Sequence, residues 1–228
     1  NGIKDIVSGS RWFEGPDFTK SHKICDVPAH GDYFDDFGDI PMDVNGDGYT
    51  DIVSGAWFNP KLTWRENPKG EPVEWKVHDI AEVGNIERPC IYDIDQDGHI
   101  EIIPNTPGGP LRIFKLIRDA EGKGTGEFEE FVVFEQNSGH GLGFGDINGN
   151  GRVDIVLSGG WLEAPENPLG GEWTWHPEFN LGSASVPVLV HDVNGDGLND
   201  IITGQGHDYG LFWYEQKRDG DGNRTWVK

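Results

Sequence analysis

One nine-residue phrase recurs along this chain at near-regular intervals: DVNGDGYTD from Asp43, DIDQDGHIE from Asp93, DINGNGRVD from Asp146 and DVNGDGLND from Asp192. The spacings are 50, 53 and 46 residues. A repeat of this length makes each copy one supersecondary unit that buries its apolar face against the next. A fifth, truncated copy, NGIKDIV, opens the chain and sets Asp5 where the second copy has Asp51.

Every second position of the phrase offers oxygen. In the first full copy these are Asp43, Asn45, Asp47, the carbonyl of Tyr49, and Asp51; in the next, Asp93, Asp95, Asp97, the carbonyl of His99, and Glu101. The third gives Asp146, Asn148, Asn150, the carbonyl of Arg152, and Asp154, and the fourth Asp192, Asn194, Asp196, the carbonyl of Leu198, and Asp200. Ca²⁺ takes such all-oxygen cages, and a glycine at the sixth position allows the sharp turn. An EF-hand loop would need a bidentate Glu at position twelve and flanking helices. Here an acid closes the set at position nine, and IVSG, IIPN, IVLS or IITG follows. β-branched runs ending in turn residues read as short buried strands, so each loop joins two strands.

The repeats run approximately over 1–42, 43–92, 93–145, 146–191 and 192–228, and each has room for four strands. The last, for example, offers VPVLVH, NDIITG, LFWYEQ and TWVK. No helical periodicity competes, and Gly, Pro, Asn and Asp punctuate the chain throughout. The expected fold is all-β, with four-stranded propeller blades carrying calcium loops between their first and second strands. These residues resemble the FG-GAP/VCBS-type repeat, also found in integrin α-subunit heads. The resemblance covers essentially the whole chain and implies a propeller with about four structural Ca²⁺ ions. Such propellers close with about seven blades. Five repeats are visible here, the first lacking its innermost strand, so the chain is expected to be part of a longer propeller. A compact five-bladed ring is the alternative.

The net charge of −22 argues against nucleic acid and anionic membrane surfaces as partners. Much of that charge is the loops themselves. No apolar run is long enough to span a bilayer. Calcium loops working in the millimolar range point to a secreted, periplasmic or cell-surface protein. Cys25 falls on an outer strand and Cys90 on an inner strand two blades away, and the two are expected to be core thiols rather than a disulfide.

Each calcium loop closes one end of a hairpin, so residues about six before it and six after it share the opposite end. Before the loops stand Asp36, Glu87, Arg88 and His140; after the second strands stand Trp12, Trp57, Asn105, Trp161 and His207. In a propeller these positions converge on the mouth of the central channel. Aromatic faces with a few carboxylates and amides suit a sugar. The plainer reading packs the tryptophans between blades and pairs Arg88 with Glu87 or Asp36. Trp64, Trp75, Trp173, Trp213, Tyr214 and Trp226 are expected as inter-blade aromatics, and His78 and His176 as blade-surface residues.

The phrases GHDYGLFWYEQ, NTPGGPL and GHGLGFGD are also similar, more loosely, to those of proteins related to the propeller part of aldos-2-ulose dehydratase. That resemblance implies a lyase acting on keto- or anhydro-sugars with a second divalent metal such as Zn²⁺. His140 or His207 would serve as base or metal ligand, Glu87 and Asp36 would complete the set, and Arg88 would hold the oxyanion. A non-catalytic calcium-dependent carbohydrate- or protein-binding module is the alternative. No Ser sits in a nucleophile-elbow setting, and the glycines follow calcium ligands rather than forming a phosphate loop.

Overall fold

A computed structural model describes residues 2–136 and 139–228. Among the described residues there is no helix, and so none long and apolar enough to cross a membrane. The first sheet is three-stranded, β1 (Ile6–Ser8), β2 (Arg11–Phe13) and β3 (Ser21–Lys23), in that order. A small hairpin follows, β4 (Ala29–His30) with β5 (Tyr33–Phe34), for which the repeat pattern gave no warning.

Four four-stranded sheets then succeed one another, each paired in chain order. They comprise β6 (Asp39–Met42), β7 (Asp51–Ser54), β8 (Lys61–Glu66) and β9 (Lys76–Glu82); then β10 (Arg88–Tyr92), β11 (Glu101–Asn105), β12 (Leu111–Arg118) and β13 (Gly124–Phe134). The third set is β14 (Gly143–Gly145), β15 (Asp154–Leu157), β16 (Gly160–Glu163) and β17 (Thr174–His176). The fourth is β18 (Ser185–His191), β19 (Asp200–Gln205), β20 (Leu211–Arg218) and β21 (Arg224–Val227). The repeated nine-residue phrase lies between the first and second strands of each. Two compact units result, Asn1–Pro89 with Phe114–Glu130, and Cys90–Ile113 with Phe131–Lys228.

Burial explains the apolar runs. β7, β11 and β15 are buried at every position, as strands with both faces covered must be, whereas β9 and β13 are largely exposed. In the second unit β14 lies against β18 because it has almost no side chains. A Cβ at Gly143 would sit 2.7 Å from Val188 Cγ1, and one at Gly145 would sit 2.7 Å from Val190 Cγ1. Cys25 and Cys90 are buried thiols that are not joined in a disulfide.

The first unit holds a buried ion cluster that sequence reading did not anticipate. Arg65, next to last in β8, reaches Asp36 Oδ2 at 2.7 Å and Asp39 Oδ1 at 3.2 Å, and also donates to Gly9 O and Ser54 Oγ. One guanidinium thus serves two carboxylates. Burial, and next the Asp36 charge, push the Asp39 carboxyl up to about 6, against the pull of Arg65 and the Gly9 N–H. A raised folded pKa means the native state holds this proton more tightly than the unfolded chain does. Asp39 therefore costs stability progressively as pH rises from its ordinary 3.8 to about 6. The variant Asp39→Asn should gain stability relative to wild type across that window, and the gap should stay level above it. Urea melts at a series of pH values check this; a gap independent of pH would contradict it.

Candidate functional site

The four loops share one geometry. The first carboxylate accepts backbone N–H groups from positions five and six: Asp43 from Asp47 and Gly48, Asp93 from Asp97 and Gly98, Asp146 from Asn150 and Gly151, Asp192 from Asp196 and Gly197. The glycines at position six, Gly48, Gly98, Gly151 and Gly197, have φ of 87°, 89°, 84° and 87°, a region closed to most L side chains. In the loop at Asp93, ligand atoms of Asp93, Asp95 and Glu101 lie within 4.8 Å of one another. In the loop at Asp43, Asp47 Oδ2 is buried and accepts no hydrogen bond, with Lys69 Nζ at 3.4 Å. Carboxylates so placed repel unless a cation sits among them, which is the chemistry of a Ca²⁺ cage.

The ninth-position acid has a second duty. Asp51 is fully buried and accepts N–H groups from Val44 at 2.9 Å and Asn67 at 2.8 Å. Asp154 does the same with Ile147 and Ala164, and Asp200 with Val193 and Gln216. This residue brackets the loop to the end of the third strand. Each carboxylate oxygen keeps a further lone pair for a cation.

A second repeated constellation runs across the outer strands. Trp12, Trp64 and Trp161 stand directly opposite His22, His78 and His176 in their sheets. Each pair stacks with ring centroids 4.2 Å apart, and His Nε2 meets Glu14, Glu66 or Glu163 at 2.6, 2.7 and 2.9 Å. Tryptophan and glutamate two apart share one face of a strand. The motif Trp-x-Glu was therefore visible at 12–14, 64–66 and 161–163, and its partner histidine was not. His78 and His176 are thus stacked ring partners rather than simple surface residues.

This register corrects the expected place of two tryptophans. In the first and fourth repeats the second and third strands are joined by two-residue turns, with Ser8 opposite Arg11 and Leu157 opposite Gly160. Trp12 and Trp161 therefore lie inside the third strand and not beyond the second. Trp161 is 0% exposed, with the Arg224 guanidinium 4.6 Å from its ring centroid, so it has no surface to offer a ligand. Asn105 is also fully buried, its Nδ2 donating to Gly139 O at 3.2 Å. Asp36 is taken up by Arg65. Trp57 is half-buried in the β7–β8 connection, Glu87 is half-buried, and Arg88 is exposed at the start of β10. Of the expected inter-blade aromatics, Trp64, Trp173 and Tyr214 are buried, Trp75 and Trp226 are partly so, and Trp213 is 40% exposed.

Two of the expected site residues do come together. His140 and His207 pack edge to face with centroids 4.5 Å apart, inside the second unit. His140 is anchored by backbone and ring alike: its N–H donates to Ser183 O at 3.1 Å, and Nδ1 lies 2.9 Å from the same oxygen. A carbonyl only accepts, so Nδ1 carries the proton and Nε2 of the neutral ring keeps a lone pair. His207 follows β19 on an exposed loop with Asp208 and Tyr209, and Tyr209 is 95% exposed. The Gly206 N–H holds this loop to Ala184 O at 2.7 Å. Both histidines sit at the strand ends farthest from the nine-residue loops, roughly 15–20 Å away at ~3.3 Å per residue. Sequence reading singled out the histidines and passed over Tyr209.

Comparison with known proteins bears on the repeat. A family profile for the FG-GAP-like repeat matches residues 43–103, which include two of the four loops. Together with the sheets described above, it supports a repeat-containing β-fold. The chain is similar over 78% of its length, at 20% identity and a TM-score of 0.40, to the V. cholerae biofilm matrix protein Bap1, of which it spans 30%. It is similar over 99% of its length, at 12% identity and a TM-score of 0.36, to the Cellvibrio cellulosa alpha-L-arabinanase, covering 94% of that chain. No curated protein matches.

Proposed function

We propose that this protein is an exported, calcium-stabilised propeller-type repeat domain that binds carbohydrate at the strand ends carrying His140, His207, Asp208 and Tyr209. The observation that carries the reading is the nearly fully exposed Tyr209 ring on a loop pinned beside the His140–His207 pair. A phenol face stacks on a pyranose, and the imidazoles and Asp208 offer donors and acceptors to its hydroxyls. The loops from Asp43, Asp93, Asp146 and Asp192 hold Ca²⁺ as structure, and their millimolar working range favours the cell exterior.

Binding is favoured over catalysis because the lyase constellation loses Asp36 to Arg65. The catalytic alternative keeps one supporting observation, the free Nε2 lone pair of His140 beside His207, which a divalent metal such as Zn²⁺ could use. Titration calorimetry against a glycan panel tests the reading. Tyr209→Ala should weaken sugar binding at least tenfold and leave the melting temperature within a degree or two, since an exposed side chain adds little stability. Unchanged affinity in Tyr209→Ala and His207→Ala alike would refute the site. Sugar turnover that zinc restores to metal-stripped protein would favour the lyase.

A further inference from the structure

We propose that a groove in the first unit, walled by β1–β3 and the segment 67–75, is a second carbohydrate site that takes an extended, uncharged oligosaccharide on Trp12. The three Trp–His–Glu constellations have the same inner geometry and different surroundings. Trp64 is 4% exposed, with Gly126 of β13 close enough that a Cβ there would lie 3.7 Å from its ring. Trp161 is fully buried under the Arg224 guanidinium. Trp12 is only half-buried and lines an open groove of about 1270 Å³. Where two copies of the repeat cover the indole, the third presents it.

The size and lining of the groove indicate the ligand. Small-molecule pockets run from ~300 to ~1,000 Å³, so a groove of about 1270 Å³ suits a chain of several sugar rings better than one. Trp75 and Tyr49 also line it, giving three aromatic residues along one surface. The backbone N–H of Trp75 donates to Ile24 O at 2.8 Å, which ties its main chain to the end of β3. In the same lining, the Lys20–Glu14 pair at 2.8 Å presents donor and acceptor side by side, as hydroxyl groups require. Lysines interspersed among the acids disfavour a polycation, and the net charge of −22 disfavours a polyanion. The His22 ring, fixed by Glu14, backs Trp12 and keeps the indole from swinging. The ligand class rests on the carbohydrate reading above; the location does not.

Titration calorimetry with cellohexaose, xylohexaose and mannohexaose, on the full chain with calcium present, tests the groove. At least one hexasaccharide should bind wild type, Trp12→Ala should lose tenfold or more, and Trp75→Ala should lose less. Tyr209→Ala should leave a binding event that Trp12→Ala removes. Trp12→Phe, which keeps a smaller platform, should bind with intermediate affinity, and it preserves the test if the alanine variant fails to fold. Full binding by a folded Trp12→Ala, with loss in Tyr209→Ala, would overturn the groove and leave the strand-end site standing. Binding by no hexasaccharide would overturn the groove alone, the strand-end site being tested by the glycan panel, and saturable binding of an arginine-rich peptide in the groove instead would overturn the ligand class.

Discussion

Excess chelator is expected to lower the melting temperature of this protein by roughly 10–20 °C. A ligand present at a hundredfold its Kd stabilises the native state by about 2.7 kcal/mol per site. A domain of this size shifts by about 2–4 °C for each kcal/mol, so two occupied loops account for the figure and four would exceed it. The cause is local charge. The loop at Asp93 gathers Asp93, Asp95, Asp97 and Glu101, and three of these acids have ligand atoms within 4.8 Å of one another. Without a cation that repulsion acts against the very turn the glycine at position six sets up. The loop at Asp146 offers only Asp146 and Asp154, with Asn148 and Asn150 neutral, and should lose metal first on titration. Differential scanning calorimetry with and without chelator, after the calcium content is measured, decides the matter. A melt that does not move on removal of bound calcium would refute the structural role.

Trp161→Ala should cost about 3–5 kcal/mol, the range for removing a fully buried large aromatic side chain. Trp161 packs in a cluster with Val156, Val188 and Tyr214, is stacked by His176, and is covered by Arg224. Its removal leaves a cavity and strips both polar neighbours of their ring. Trp213 provides the control. It occupies the same position of the fifth repeat, opposite Ile202 as Trp161 is opposite Val156, yet it is 40% exposed. Trp213→Ala should change stability by no more than about 1 kcal/mol. Urea denaturation of both variants gives the comparison. Equal effects, or a Trp161→Ala variant that loses sugar binding with an unchanged melt, would return Trp161 to the ligand surface.

Much of the architecture could be read from particular residues. The loop from Asp43 to Asp51 announces its own turn, because alternating carboxylates and a glycine at position six specify a local backbone path. The run Ile52-Val53 following it announces a strand covered on both sides, and β7 is buried throughout. His140 and His207 were assigned to one end of their hairpins by counting residues from the loops, and their rings are 4.5 Å apart. Tyr209 was missed because an isolated tyrosine between Asp208 and Gly210 carries no periodic signal. The Asp36–Arg65 pair was missed because it joins residues 29 positions apart that share no motif.

The sequence by itself determined the repeat spacing, the four strands of each of the four full repeats, and the placement of their loops between first and second strands. These follow from short-range chemistry: ligand spacing, glycine conformations and apolar runs. Only the tertiary structure decided which tryptophans are core and which are surface. The reason is the length of one connection. A two-residue turn at 158–159 carries Trp161 into the third strand, opposite His176, whereas residues 55–60 lead into β8 with Trp57 left in the connection and Trp64 in the strand. Register in a sheet is set by pairing across strands, and a shift of one residue exchanges the faces. Whether an indole so placed is covered then depends on what the neighbouring sheet brings to it, Arg224 for Trp161 and an open groove for Trp12.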